Sequence, residues 1–258
     1  MGTYAEGAPS WVDLASTDVD GARRFYEQLF GWTSQVAPEP EAGGYTTFSK
    51  DGKAVAAVGP MMGEGQPPTW TTYFATDDAD TTTRRVEAAG GKVLLAPMDV
   101  MQYGRMAVYL DPAGAAFAVW QANEMGGAEI VGAPGSLSWN ELMTRDPEGS
   151  KAFYPAVLGW QPRDVPYEDA TYTVWEIGGT SAAGMMPMEG EMWPADLPSH
   201  WMVYFEVDDT DAVAAKAEEL GGMVSVPPTD TPAGRFAVLS DAEGAFFSII
   251  KSSPDFTP

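Results

Sequence analysis

This sequence predicts an α+β protein in which one domain is written twice, and three observations carry that prediction. Ordered segments recur along the chain, and within each recurrence short strand-like runs alternate with helical stretches. A Gly/Ala-rich stretch separates the two copies.

The recurrence comes first in the argument. SWVDLASTD (Ser10 to Asp18) returns as SWNELMTRD (Ser138 to Asp146), an offset of 128 residues, and in both copies Phe-Tyr begins seven residues after the aspartate. Leu29 to Trp32 answers Val157 to Trp160, Gly59-Pro60-Met61 answers Met186-Pro187-Met188, and Trp70 to Asp78 answers Trp201 to Asp209. Ala89-Gly90-Gly91 answers Leu220-Gly221-Gly222, and GRMAVYLDPAGAAF (Gly104 to Phe117) answers GRFAVLSDAEGAFF (Gly234 to Phe247). So many matches in one order mean two copies of a domain, placed at residues 9–122 and 135–251 with a linker at 123–134.

Within a copy the elements follow from period and punctuation. Trp11 to Ala15 reads as a strand. Val19 to Phe30 reads as a helix capped by Asp18, with Phe25, Tyr26 and Leu29 on one face and Gly31 as its stop. Strand-like runs follow at Tyr45 to Ser49 and Lys53 to Val58, with a further strand fitting after Trp32. The order then repeats: a strand at Thr71 to Thr76, a helix from about Ala79 to Ala89 stopped by Gly90-Gly91, and strands near Val93, at Met106 to Leu110 and at Ala116 to Gln121. Each copy is thus two β-α-β-β-β units. In the second copy Pro155 falls inside the first helix, which predicts a kink or a shortening to two turns.

Composition bounds the function. The 258 residues include no cysteine, which excludes disulfides, thiolate nucleophiles, zinc ribbons and iron–sulfur clusters together. A formal charge of −23 repels phosphate backbones and anionic lipid surfaces, so neither nucleic acid nor membrane is expected as a partner. No run reaches the ~18 apolar residues of a membrane helix, and the N-terminus carries no basic-then-apolar leader. The expectation is a cytoplasmic protein, monomer or homodimer, with export by an unusual route left open.

The aspartate after the first strand, Phe-Tyr seven on, the Leu/Phe-Gly close, the strand ending Asp-Asp, Gly-Gly after the second helix and the Asp-x-x-Gly turn before the last strand together form a pattern. It resembles the vicinal oxygen chelate superfamily of glyoxalases, bleomycin-resistance proteins and extradiol dioxygenases, over nearly the whole chain. The openings WVDL and WNEL and the stretch Gly234 to Lys251 are further similar to actinobacterial two-module members assigned as hydroxylases, and to a mycobacterial culture-filtrate antigen of that superfamily. The resemblance implies a curved sheet per copy, with helices on the convex side and a ligand cleft on the concave side.

It also implies where a metal would be held: seven residues before the first-strand aspartate, seven before the end of the Asp-Asp pair, and four after the glycine of the last turn. Those positions are Trp11, Thr71 and Ala118 in the first copy and Trp139, Met202 and Ser248 in the second. Indole and methyl groups offer no lone pair to an ion, thioether is too soft for the hard or borderline ions of such sites, and hydroxyls bind weakly. No metal and no other cofactor is expected. The one histidine, His200, lies two positions before Met202 and reads as a rim residue.

If Trp11 faces the cleft, alternation puts Asp13 and Ala15 beside it, and Trp139, Glu141 and Met143 in the second copy. Thr71, Tyr73 and Ala75 would join the first cleft, and Met202, Tyr204 and Glu206 the second, with Met61, Met62, Met185, Met186 and Met188 nearby. An apolar, aromatic hollow holding one or two acids has the profile of a small-molecule site. The indoles fit equally as ligand platforms or as plugs of a vacated cleft. Asp13 and Glu141, if unpaired in an apolar hollow, would have raised pKa values and could act as a general base or donor; alternatively each ties down a neighbouring group. Arg105 and Arg235, at equivalent Gly-Arg positions, could clamp an anionic ligand group, or pair with Asp13 or Glu141, or with surface acids.

The leading functional expectation is a metal-independent protein binding an aromatic or polycyclic, antibiotic-like small molecule. A second is a cofactor-free hydroxylase, isomerase or cyclase using Asp13 or Glu141. A third, an exported antigen or signalling protein, follows only from the mycobacterial resemblance.

Overall fold

Four Asp-initiated helices and sixteen strands make up the fold in a computed structural model describing residues 4–61, 63, 65–167, 170–190 and 193–254. The first copy runs β1 (Pro9–Ser16), α1 (Val19–Phe30), β2 (Thr33–Val36), β3 (Thr46–Lys50), β4 (Lys53–Pro60), β5 (Thr69–Ala75), α2 (Ala79–Ala88), β6 (Lys92–Val100), β7 (Gly104–Leu110) and β8 (Ala116–Ala122). The second runs β9 (Leu137–Thr144), α3 (Pro147–Leu158), β10 (Gln161–Tyr167), β11 (Ala170–Ile177), β12 (Thr180–Pro187), β13 (His200–Glu206), α4 (Thr210–Glu219), β14 (Met223–Thr231), β15 (Gly234–Ser240) and β16 (Phe246–Ser252). Each copy forms an eight-stranded curved mixed sheet, ordered β2-β3-β4-β1-β5-β8-β7-β6 in the first and β10-β11-β12-β9-β13-β16-β15-β14 in the second.

The helices begin where their aspartates dictate. Asp18, Asp78, Asp146 and Asp209 each accept a hydrogen bond from the backbone N–H three residues on, at 2.9–3.0 Å, satisfying one of the donors that a helix start leaves unpaired. Gly31 and Gly159 close α1 and α3 in the left-handed conformation, with φ of 68° and 73°, which glycine adopts without strain.

Pro155 does not shorten its helix. α3 keeps 12 residues, as many as α1, with the proline in its last turns. Its ring removes one backbone donor, but Phe153, Tyr154, Val157 and Leu158 around it are all buried, and that apolar burial outweighs the lost bond.

The compact units do not follow the repeat: each takes strands and helices from both copies. One consists of the described residues of Met1–Trp11, Thr72–Gly127 and Asn140–Met202, and the other of those of Val12–Thr71, Ala128–Trp139 and Val203–Pro258. In the second of these, Phe25, Tyr26, Phe30, Trp32 and Phe48 from the first copy pack with Phe205 and Phe247 from the other. In the first, Phe74, Tyr109 and Phe117 pack with Phe153, Tyr154, Trp160 and Trp201. Each ring buried this way contributes on the order of 2 kcal/mol.

A polar chain runs through each aromatic core. Trp70 Nε1 donates to the Tyr26 hydroxyl at 2.9 Å, and Tyr26 donates to Asp241 Oδ2 at 3.1 Å. In the other unit Trp201 Nε1 donates to the Tyr154 hydroxyl at 2.9 Å, and Tyr154 donates to Asp111 Oδ2 at 2.9 Å. The other oxygen of each aspartate accepts the N–H of Ala245 or Ala115, closing the turn before the last strand of its copy.

Candidate functional site

Strand alternation fixes which side chains leave the helix-covered cores. Val12 and Leu14 of β1, Leu142 of β9, Phe74 of β5 and Val203 and Phe205 of β13 belong to the cores. Their neighbours in sequence therefore face the opposite, concave side: Trp11, Asp13 and Ala15; Trp139, Glu141 and Met143; Tyr73; and Met202, Tyr204 and Glu206. Most of these are well covered. Trp11 is 4 % exposed, Tyr73 6 %, and Met202 and Tyr204 7 % each.

The acids on these faces differ in their surroundings. Asp13 is half-buried and its Oδ2 accepts the Tyr45 hydroxyl at 3.1 Å. That bond has a local cause in β4: a Cβ at Gly59 would lie 2.9 Å from the Tyr45 ring, so only a bare glycine lets the ring approach the strand this closely. Strand alternation does not reveal this role of Tyr45; a glycine inside a strand, Gly59, is its trace in the sequence. Glu141 is almost fully covered, at 8 % exposure. Glu206 is tied down, its carboxylate accepting Ser138 Oγ at 2.7 Å, Ser252 N at 2.8 Å and Ser252 Oγ at 2.6 Å. Three directed bonds make it a brace between β13, the start of β9 and the end of β16.

The arginines lie on the helix-bearing side. Arg105 binds Asp80 in the first turn of α2 through Nε at 3.0 Å and Asp99 through Nη1 at 2.7 Å. Arg235 repeats this with Asp211 of α4 at 2.7 Å and Asp230 at 3.0 Å. These bonds raise the pKa of both guanidiniums and lower that of Asp211. Both arginines thus pair with surface acids, not with Asp13 or Glu141.

His200 opens β13, with Nδ1 2.8 Å from Pro198 O, and burial lowers its pKa. Met185 is fully buried in an aromatic core, Met188 is nearly so, and Met61 and Met186 are partly exposed; Met62 lies outside the described residues.

Around the positions where the resemblance would put a metal, β5 and β8 bring Tyr73 level with Ala118, and β13 and β16 bring Tyr204 level with Ser248. The side chains at that register (Trp11, Thr71 and Ala118; Trp139, Met202 and Ser248) do not fit a divalent ion, since two hydroxyls and a thioether spread over two copies are the whole donor supply. Among the described residues, no three His, Asp or Glu side chains gather closely enough to hold one.

Comparison with known proteins places this geometry. The sequence profile of the Glyoxalase/Bleomycin resistance protein/Dioxygenase superfamily matches residues 8–119 and again 136–249. The anthracycline biosynthesis protein DnrV of Streptomyces peucetius is 50 % identical, over 97 % of this chain and 95 % of its own length. CFP32 of Mycobacterium tuberculosis, provisionally assigned as a glyoxylase, is 45 % identical over 97 % of both chains. Among solved structures, the Mn(II)-bound glyoxalase from Novosphingobium aromaticivorans superimposes with a TM-score of 0.65 at 19 % identity, covering 96 % of this chain and 83 % of that one. The 2,3-dioxygenase LapB from Pseudomonas sp. KL28 gives 0.65 at 13 % identity, covering 99 % and 97 %. With two profile matches spanning both copies, and a fold shared with these structures, the chain belongs to the Glyoxalase/Bleomycin resistance protein/Dioxygenase superfamily.

Proposed function

We propose that this protein binds a planar, polycyclic aromatic natural product on the concave faces of its sheets, and does so without a metal ion. What carries the reading is the chemistry of Trp11, Thr71, Ala118, Trp139, Met202 and Ser248, which stand where the resemblance would put metal ligands, on faces that also hold Tyr73 and Tyr204. Such faces recognise flat aromatic rings through stacking and thioether contacts, with a few polar atoms setting orientation. The half-identical relative named for anthracycline biosynthesis supports the choice of ligand class, because an anthracycline is a flat fused-ring quinone.

The test pairs two measurements on the purified protein. Fluorescence titration with 1,4-dihydroxyanthraquinone is expected to give saturable binding, and elemental mass spectrometry to give no stoichiometric manganese, iron, nickel or zinc. A tightly held ion in stoichiometric amount, or no binding across a panel of hydroxyanthraquinones, ends the reading.

A second reading, cofactor-free proton abstraction, draws on Glu141, a carboxylate covered to 8 % exposure on the same face as Trp139. It requires turnover that Glu141→Gln or Asp13→Asn abolishes in a folded protein; equal rates in both variants would remove it.

A further inference from the structure

Ser248 sits in the middle of β16, fully buried, and its Oγ has no hydrogen-bond partner among the described residues. Its sequence neighbours Phe247 and Ile249 belong to the helix-side core, so Ser248 faces the concave side. There it stands level with Tyr204 on one flanking strand and Val238 on the other. Phe236 lies one alternation further along β15, its ring 6.5 Å from that of Tyr204. The hydroxyl is thus a polar atom within an aromatic and aliphatic wall built from β13, β15 and β16.

Burying a hydroxyl unpaired is unfavourable, and an alanine here would avoid the cost. The first copy has that alanine. Ala118 occupies the same position on β8, level with Tyr73 and Val108, and is also fully buried. The fold therefore does not require the oxygen, and its presence in one copy alone distinguishes the two half-sheets chemically.

We propose that Ser248 is the polar anchor of the bound ligand in the second copy, donating its hydroxyl hydrogen to an edge oxygen of a flat aromatic molecule, a quinone carbonyl or a phenol. This rests on the binding function proposed above and adds to it a working copy and a ligand feature. Tyr204 and Phe236 supply the flanking rings. Phe236, which is partly exposed, turns aside to admit the ligand edge to the covered hydroxyl. The half-sheet bearing Ala118 stacks rings without reading their oxygens.

The experiment uses the full chain and its Ser248→Ala variant, which places in the second copy the residue the first copy already tolerates. Each is titrated with 1,4-dihydroxyanthraquinone and with anthracene, which has the same three fused rings and no oxygen. The variant is expected to bind the dihydroxyanthraquinone about fivefold to tenfold more weakly, the range of one neutral hydrogen bond, and anthracene within about twofold of the parent. Unchanged affinity for the quinone, or an equal loss for both probes, overturns the anchor while leaving the binding function standing. Failure of the unaltered protein to bind either probe overturns both.

Discussion

Tyr26, in the first copy, donates its hydroxyl to Asp241 of the second at 3.1 Å, and Tyr154 of the second does the same to Asp111 of the first at 2.9 Å. The bond is reciprocal between the copies, and each hydroxyl also accepts an indole N–H, from Trp70 or Trp201. Replacing Tyr26 or Tyr154 by phenylalanine leaves a buried indole donor and a buried carboxylate each short of a partner. We expect each variant to lose about 1–3 kcal/mol in urea denaturation, with the concave faces intact by probe binding. A loss within error of zero would mean that the relay is not formed in solution.

The same aspartates impose a pH dependence. Burial holds Asp111 and Asp241 above the ordinary carboxylate value of 3.8, so the folded protein keeps their protons more firmly than the unfolded chain does. Their contribution to stability is fully present below 3.8 and is lost as the pH rises through the raised folded values. Asp78, Asp164 and Asp211, held below the ordinary value, act in the opposite sense and lose their contribution as the pH falls. The difference in stability between the parent and Asp241→Asn isolates the first effect: it should decline as the pH climbs from 3.8 toward neutrality. Parallel curves for the two proteins would contradict the assignment.

Gly59→Ala tests the approach of Tyr45 to β4. An added methyl would meet the Tyr45 ring at 2.9 Å, and the ring carries the hydroxyl bonded to Asp13. The expected cost is about 1–3 kcal/mol, the usual range for overfilling a packed position. Tyr45→Phe, which keeps the ring and drops only the hydrogen bond, should cost less. The reverse order would place the constraint in the hydroxyl.

Glu206 and the two arginines make opposite predictions about binding and stability. Glu206→Gln leaves at least one of three well-directed bonds unmade, so a loss of about 1–3 kcal/mol is expected in thermal or urea unfolding. Arg105→Gln and Arg235→Gln break ion pairs on the helix-bearing side and should leave affinity for a flat aromatic probe within about twofold. A large loss of binding in either arginine variant would require those side chains to reach the ligand.

What the chain discloses without coordinates is set by how local each signal is. The cap at Asp18, the stop at Gly31 and the buried face Phe25-Tyr26-Leu29 lie within a few turns of each other, and α1 spans the residues they bracket. Alternation likewise assigns Trp11 and Asp13, or Tyr204 and Glu206, to one face of a strand. The nine-residue strands β6 and β14 were harder to see, because they alternate exposed with half-buried positions and contain prolines at 97, 227 and 228. The partners of long-range side-chain hydrogen bonds are not legible. Tyr26 and Asp241 are 215 positions apart and Tyr45 and Asp13 are 32 apart, and nothing in a residue's own surroundings names a partner at that range.

That each compact unit mixes the two copies matters for anyone who would dissect this molecule. Cutting the backbone between Asn123 and Pro134 looks harmless, since the cut falls in a glycine-rich tether. Yet it would deprive Phe30 of Phe205 and Phe117 of Tyr154, so either fragment alone exposes aromatic surface and is destined to aggregate or to seek its missing half. The useful scissile experiment is therefore co-expression of the two fragments, with reassembly as its readout.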